Sequence, residues 1–202
     1  MPAAIVVANV VAIWAGLFQA SPTYPIDNDY VRVTRNGTPC ASASPSVCGE
    51  RVLVALGPIE FQQYDQPRRL QRGEIAVFRW HESYVGPTKG EFLEVSIKVD
   101  HPAVQRPAVV SPPETNAMLY DGETFLVFEE RLPAGETHAR HGHSQHLVIV
   151  LNDTRLQEWR DGEPEVIRAQ IADDVRFYPV VTHVVKTVGE KPLRNIVIEF
   201  KA

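Results

Sequence analysis

The sequence predicts an all-β protein of antiparallel strands, and three observations carry that expectation. Short apolar–polar alternations recur along the chain, most of them closed by Gly, Pro or Asn-Gly turn signals. No stretch keeps a helical period over enough residues for a long helix. The 202 residues include 16 Pro and 12 Gly, which suits many short strands joined by turns.

Taken in order, Tyr30 to Thr34 alternates and ends at Asn36-Gly37. Residues 38–49, rich in Ser, Ala and Pro, read as loop. Arg51 to Leu56 and Ile59 to Tyr64 predict strands around a Gly57-Pro58 turn, followed by a short strand over Glu74 to Trp80. Glu91 to Val99 alternates strongly, and His101 to Pro113 is broken by prolines into a linker. In the second half, strands are expected at Phe125 to Glu130, Leu147 to Leu151, Thr154 to Trp159 and Val166 to Ile171. Val175 to Tyr178, His183 to Thr187 and Arg194 to Phe200 complete the set.

The second half repeats the order of the first. Val52 to Tyr64 can be laid on Leu147 to Trp159, which sets Tyr30 opposite Phe125 and Cys40 opposite Gly135.

Composition bounds the function. Hydrophobic residues at 44% and charged residues at 22% can fill a core. A net charge of -5 excludes nucleic acid as an expected partner, because phosphate binding needs a clustered basic face. Arg68, Arg69 and Arg72 are expected to form a solvated edge. Residues 2–20 carry no charge and precede Ser21-Pro22, which fits an export signal cleaved after Ala20 and a periplasmic or extracellular location. A membrane anchor or a strand of the fold is the other reading, the latter with a cytoplasmic protein; no later stretch is long and apolar enough to span a bilayer. Cys40 and Cys48 are either a disulfide of an exported protein or reduced thiols.

The chemistry concentrates at His138, His141, His143 and His146. His141 and His143 are two apart, so on a strand both side chains leave on one face. A turn at Ser144-Gln145 brings His146 back beside them. Clustered imidazoles form most of a metal site, against the alternative of solvated loop histidines. The spacing does not suit a helical zinc-protease motif.

Gly135, His141 and His143 resemble the first cupin motif, in which a Gly, five residues and His-x-His precede a Glu and a closing Gly. His146 stands where that Glu belongs and Asp153 where the Gly belongs. His183 stands at the ligand position of the second motif, with Thr187 in place of its Asn. The resemblance implies an antiparallel jelly-roll barrel, arranged as two tandem cupin-like lobes. They are a degenerate lobe over 28–102, a linker over 103–116 and a metal-competent domain over 117–202; a single larger jelly roll is the rival. In the first lobe Ser46, Cys48 and Arg51 face the histidines, so the ligands are lost there and only His81 remains near the second-motif position.

The resemblance implies one divalent transition metal (iron, manganese, nickel, copper or zinc) on His141, His143, His183 and His146. A His in place of a carboxylate leaves such a site more positive and favours an anionic substrate. Tyr178 and His138 are candidates for supporting the ligands from behind or for acid–base work, each weighed against an ordinary packed Tyr and an exposed loop His. The expected function is that of a metal-dependent dioxygenase or isomerase acting on a small molecule, or of a non-catalytic cupin that holds a metal or small ligand. The intact histidine set argues against a metal-free sugar-nucleotide epimerase. A small-molecule ligand is the expected partner, and a homodimer is left open.

Overall fold

The computed structural model describes residues 25–37, 49–80, 82–109 and 116–201. The leader, Cys40, Cys48, Ser46 and His81 lie outside the described residues, among which there is no helix. The first half contributes β1 (Ile26–Asp27), β2 (Val31–Arg35), β3 (Arg51–Ala55), β4 (Ile59–Gln63), β5 (Gln66–Leu70), β6 (Ile75–Phe78), β7 (Tyr84–Val85) and β8 (Phe92–Ile97). The second contributes β9 (Asn116–Asp121), β10 (Phe125–Leu132), β11 (Thr137–His143), β12 (His146–Val150), β13 (Thr154–Arg160), β14 (Val166–Gln170), β15 (Val175–Tyr178), β16 (Val181–Thr187) and β17 (Leu193–Phe200).

Each half has a five-stranded antiparallel sheet, β1-β2-β8-β3-β6 in one and β9-β10-β17-β12-β15 in the other. A smaller sheet accompanies each, β5-β4-β7 and β11-β16-β13-β14. The two larger sheets share a central core: Val52, Val54, Leu93 and Val95 cluster with Leu147, Ile149, Ile196 and Ile198. On their other faces, Leu53 and Ala55 join Phe61, Phe78 and Tyr84 inside the first half. Val148 and Val150 likewise join Phe128 and Val197 inside the second. This explains why β3 and β12 are near-continuous apolar runs: both faces are covered, so neither needs a polar alternation.

Pairing registers make the repeat concrete. Arg51 lies opposite Phe78 and Ser96, as His146 lies opposite Tyr178 and Glu199. Val31 pairs with Ile97 as Phe125 pairs with Phe200, so the counterpart of Phe125 is Val31 and not Tyr30. The expected Arg51–His146 correspondence therefore has a structural basis in the register. Arg51 is buried, its guanidinium 5.5 Å from both the Phe78 and Tyr84 ring centres. A permanent cation on two aromatic rings thus stands where the second half has an imidazole.

Four strands escape the sequence pattern. The β4–β5 hairpin turns at Tyr64 and Asp65, both with positive φ, without the glycine that marks such turns. β5 is an exposed Gln-Pro-Arg-Arg segment with no apolar face, and β1 and β7 are only two residues long. β9 is an edge strand, exposed along most of its length. Arg72 also departs from expectation. It is no solvated edge: its guanidinium donates to the Leu151 carbonyl at 2.9 and 2.6 Å and to Asp173 at 2.6 Å, tying the halves together.

Candidate metal centre

The second half closes into a barrel between its two sheets, and the histidines line its interior. His141 and His143 come from β11, His183 from the adjacent β16 and His146 from the first position of β12. His141 pairs directly with His183 in the β11–β16 ladder. The short Ser144-Gln145 connection returns the chain into β12 and places the His146 ring 4.8 Å from that of His143. His141, His143 and His183 each offer a nitrogen within 4.8 Å of the other two. His146 stands beside this group, on the wall formed with Tyr178, without joining that three-membered cluster.

Every one of these rings is held by Nδ1. His141 Nδ1 meets the Ala139 carbonyl at 2.7 Å and His146 Nδ1 the Ser144 carbonyl at 2.7 Å. His143 Nδ1 meets Glu199 at 2.8 Å and His183 Nδ1 meets Glu158 at 2.8 Å. Such acceptors assign the proton to Nδ1 of the neutral ring and leave Nε2 as a lone pair. The Nε2 atoms of His141 and His183 face each other at 3.1 Å. Two lone pairs at that distance repel unless a cation lies between them, and carboxylate-backed imidazoles are the arrangement that orients metal ligands. The donor set therefore fits a divalent transition ion.

Electrostatics separate the imidazoles. Burial holds His141 and His146 near a pKa of about 3, so both rings are neutral at neutral pH. Burial also opposes charge on His143, but the Glu199 and Glu130 carboxylates outweigh it and raise the pKa. Glu158 loses free energy to burial, yet His183 and Arg160 hold its pKa at about 2. Glu130 is held at about 2 against burial by His138, His143, the Asn195 amide and His141.

His138 is not an exposed loop residue. Its ring is buried and stacks on His141 with centres 3.8 Å apart. In a regular strand positions 138 and 141 face opposite ways. The β11–β16 register shifts between them, and this bulge turns both inward. Glu130, His138 and His141 form a second group of atoms within 4.8 Å, sharing His141 with the first. Tyr178 also belongs to the site: its ring stacks on His146 at 5.4 Å and carries the Arg160 guanidinium 5.5 Å from its centre.

Sequence reasoning missed Glu130, Glu158 and Glu199. Each is a charged residue at an inward position of a strand, and that mismatch with the alternation was the available signal. Their presence corrects the charge argument. The missing motif carboxylate does not leave the site unopposed, since buried Glu130 and Glu158 and the largely buried Glu199 surround it. The cavity beyond the histidines has a volume of about 50 Å³, and Val148, Leu156, Val185, Leu193 and Val197 form part of its wall. The 107–109 segment packs against the strand that carries His141 and His143. A side chain at position 142 would meet the Val109 carbonyl at 2.4 Å and Pro107 Cβ at 2.6 Å, so the residue between the two motif histidines must be Gly.

No family model matches the sequence, and no curated protein matches it. Solved structures do. AerE from Microcystis aeruginosa superposes with a TM-score of 0.58 at 14% identity, covering 87% of this chain and 89% of that one. A cupin 2 conserved barrel domain protein from Leptotrichia buccalis gives 0.57 at 14% identity, covering 87% and 86%. A mutant of salicylate 1,2-dioxygenase from Pseudoaminobacter salicylatoxidans gives 0.53 at 12%, covering 92% of this chain and 73% of that one. With the strand order and pairing above, these likenesses establish that the chain has the cupin fold, an antiparallel jelly-roll barrel.

Proposed function

We propose that the 117–202 barrel is a metal-dependent enzyme acting on a small molecule, with dioxygen or isomerase chemistry. The observation that carries this reading is the convergence of three imidazoles whose Nδ1 atoms are all engaged, leaving His141, His143 and His183 Nε2 to a shared cation. His146 is the fourth ligand or the near wall of the substrate space. A divalent ion held there supplies Lewis-acid or redox chemistry.

The protein's own groups supply the rest. Glu158 and Glu199 orient the His183 and His143 rings. Val and Leu side chains form part of the cavity wall beside these polar groups, and their low polarity strengthens the polar contacts made there. Tyr178, pinned between His146 and Arg160, forms a rigid wall beside the ligands. One structural neighbour is named as a dioxygenase, and oxygen chemistry is the first reaction class to assay.

Elemental analysis of the purified protein tests the metal. One equivalent is expected, lost in His141→Ala, His143→Ala and His183→Ala, weakened in His146→Ala and retained in His138→Ala. Retention in His143→Ala together with loss in His138→Ala would place the ion with Glu130 and overturn the assignment. Oxygen uptake and isomerisation assays on a panel of small acids, phenols and sugars then separate the two functional classes. Stoichiometric metal without turnover of any of them assigns a binding role.

A further inference from the structure

A second space, of about 250 Å³, adjoins the cavity that the histidines line. The two share three lining residues, Arg160, Tyr178 and Val181. Each of the three is the cross-strand partner of a ligand candidate: Arg160 lies opposite His183, Tyr178 opposite His146 and Val181 opposite His143. Directly opposed residues on paired strands share a face, with Cβ atoms about 4.5–5.5 Å apart, so the outer chamber begins one side chain away from the candidate ligands. The inner cavity, at about 50 Å³, has room for about three or four waters. It can take the reacting atoms of a molecule, whose body has its room in the chamber.

Arg160 stands at the join. Its Nε donates to Glu158 at 2.8 Å and its guanidinium lies 5.5 Å from the centre of the Tyr178 ring, so the group is held on two sides. Its two Nη groups have no acceptor among the described residues, and they are not sealed away, the side chain being 20% exposed. A guanidinium anchored through Nε, with its Nη edge open between two spaces, is a donor fork ready for an acceptor.

The surroundings select the acceptor. Arg106, Asp161 and Glu163 also line the chamber. Asp161 is paired with Arg140, and Glu158 is shared between Arg160 and Arg168. With these partners included, the guanidinium groups of Arg106, Arg140, Arg160 and Arg168 face the carboxylates of Glu158, Asp161 and Glu163, which leaves one positive charge. An ammonium would add to that charge and find only donors at Arg160. A neutral carbonyl would use the N–H groups and leave the charge unanswered. A carboxylate supplies one negative charge and two oxygens that match the guanidinium fork. The rest of the wall includes the apolar side chains of Pro107, Ala108, Pro179 and Val180. We propose that the outer chamber binds a small monocarboxylate with an apolar body, its carboxylate held by Arg160 at the join and its body in the chamber. That this molecule is a substrate rests on the enzymatic reading above, whereas its binding does not.

The test compares benzoate and hexanoate, each with its own amide, which has nearly the same shape without the charge. Binding is measured calorimetrically on the full-length protein, metal-loaded and after chelation, because a carboxylate can also ligate an ion directly. At least one acid is expected to bind at least about tenfold more tightly than its amide in both states, as charge-assisted hydrogen bonds to a guanidinium require. Arg160→Gln should bring that ratio close to one, whereas an Arg160 with a purely structural role would weaken acid and amide alike. Glu163→Gln, at an exposed position, removes a carboxylate from the chamber and should raise the ratio. Melting curves check the fold of each variant. Equal binding of acid and amide, binding of none of the four, a preference that disappears on chelation, or one unchanged in well-folded Arg160→Gln overturns the assignment. Should Arg160→Gln not fold, Glu163→Gln decides, and a ratio that does not rise overturns it. The chelated arm needs no ion, so a preference there stands even if elemental analysis finds no metal, a result that would sink the metal assignment alone.

Discussion

Glu158→Gln isolates what a carboxylate behind an imidazole contributes. Glu158 is 6% exposed and receives three groups at 2.8 Å: His183 Nδ1, Arg160 Nε and Arg168 Nη2. A glutamine of the same shape keeps an oxygen within reach of His183 but removes the negative charge behind the ring. Loss of such an outer partner weakens metal binding by about 10–100-fold, or about 1.4–2.8 kcal/mol. Two guanidinium groups also lose their anion, so the melting temperature should fall along with affinity. The assay is competition for Co(II) against a chelator of known affinity, read by the visible spectrum, beside the wild type and an exposed control, Glu190→Gln. Glu199→Gln should behave alike through His143. An affinity within about twofold of wild type for both substitutions would refute the claim that these carboxylates tune the ligands.

Two further outcomes are expected. Gly142→Ala should destabilise the protein by about 1–3 kcal/mol, because the new methyl drives into the Val109 carbonyl and Pro107; chemical denaturation measures it, and a neutral effect would mean that the 104–109 segment yields freely. The metal-free protein should lose stability on acidification. Glu158 and Glu130 have folded pKa values of about 2 against 4.5, so their contribution is complete above 4.5 and vanishes as the pH falls towards 2. His141 and His146, lowered from 6.5 to about 3, bind fewer protons folded than unfolded, and they also cost stability as the pH drops below 6.5. Urea midpoints that stay level between pH 7 and pH 4 would contradict this.

The sequence by itself determined the strand class, most strand positions and the His141–His143 pair. These depend on local rules: alternation of period two, turn residues and the common face of residues two apart. That β3 and β12 are continuous apolar runs is explained only by the packed sheets, which cover both of their faces. Only the tertiary structure decided the place of His138, because a bulge in the β11–β16 pairing turns inward a residue that strict alternation would face away from His141. It alone brought Glu130 from β10 and Glu158 from β13 to one cavity, and Glu199 from β17 to His143, since no sequence spacing records which strands become neighbours across a barrel. The same holds for Arg72. Its polar sequence context reads as surface, whereas its partners, Leu151 and Asp173, reach it only when the two halves pack. Non-local pairing is where sequence pattern loses its hold, because burial and charge partners are properties of the assembled sheets and not of the strand that carries the residue.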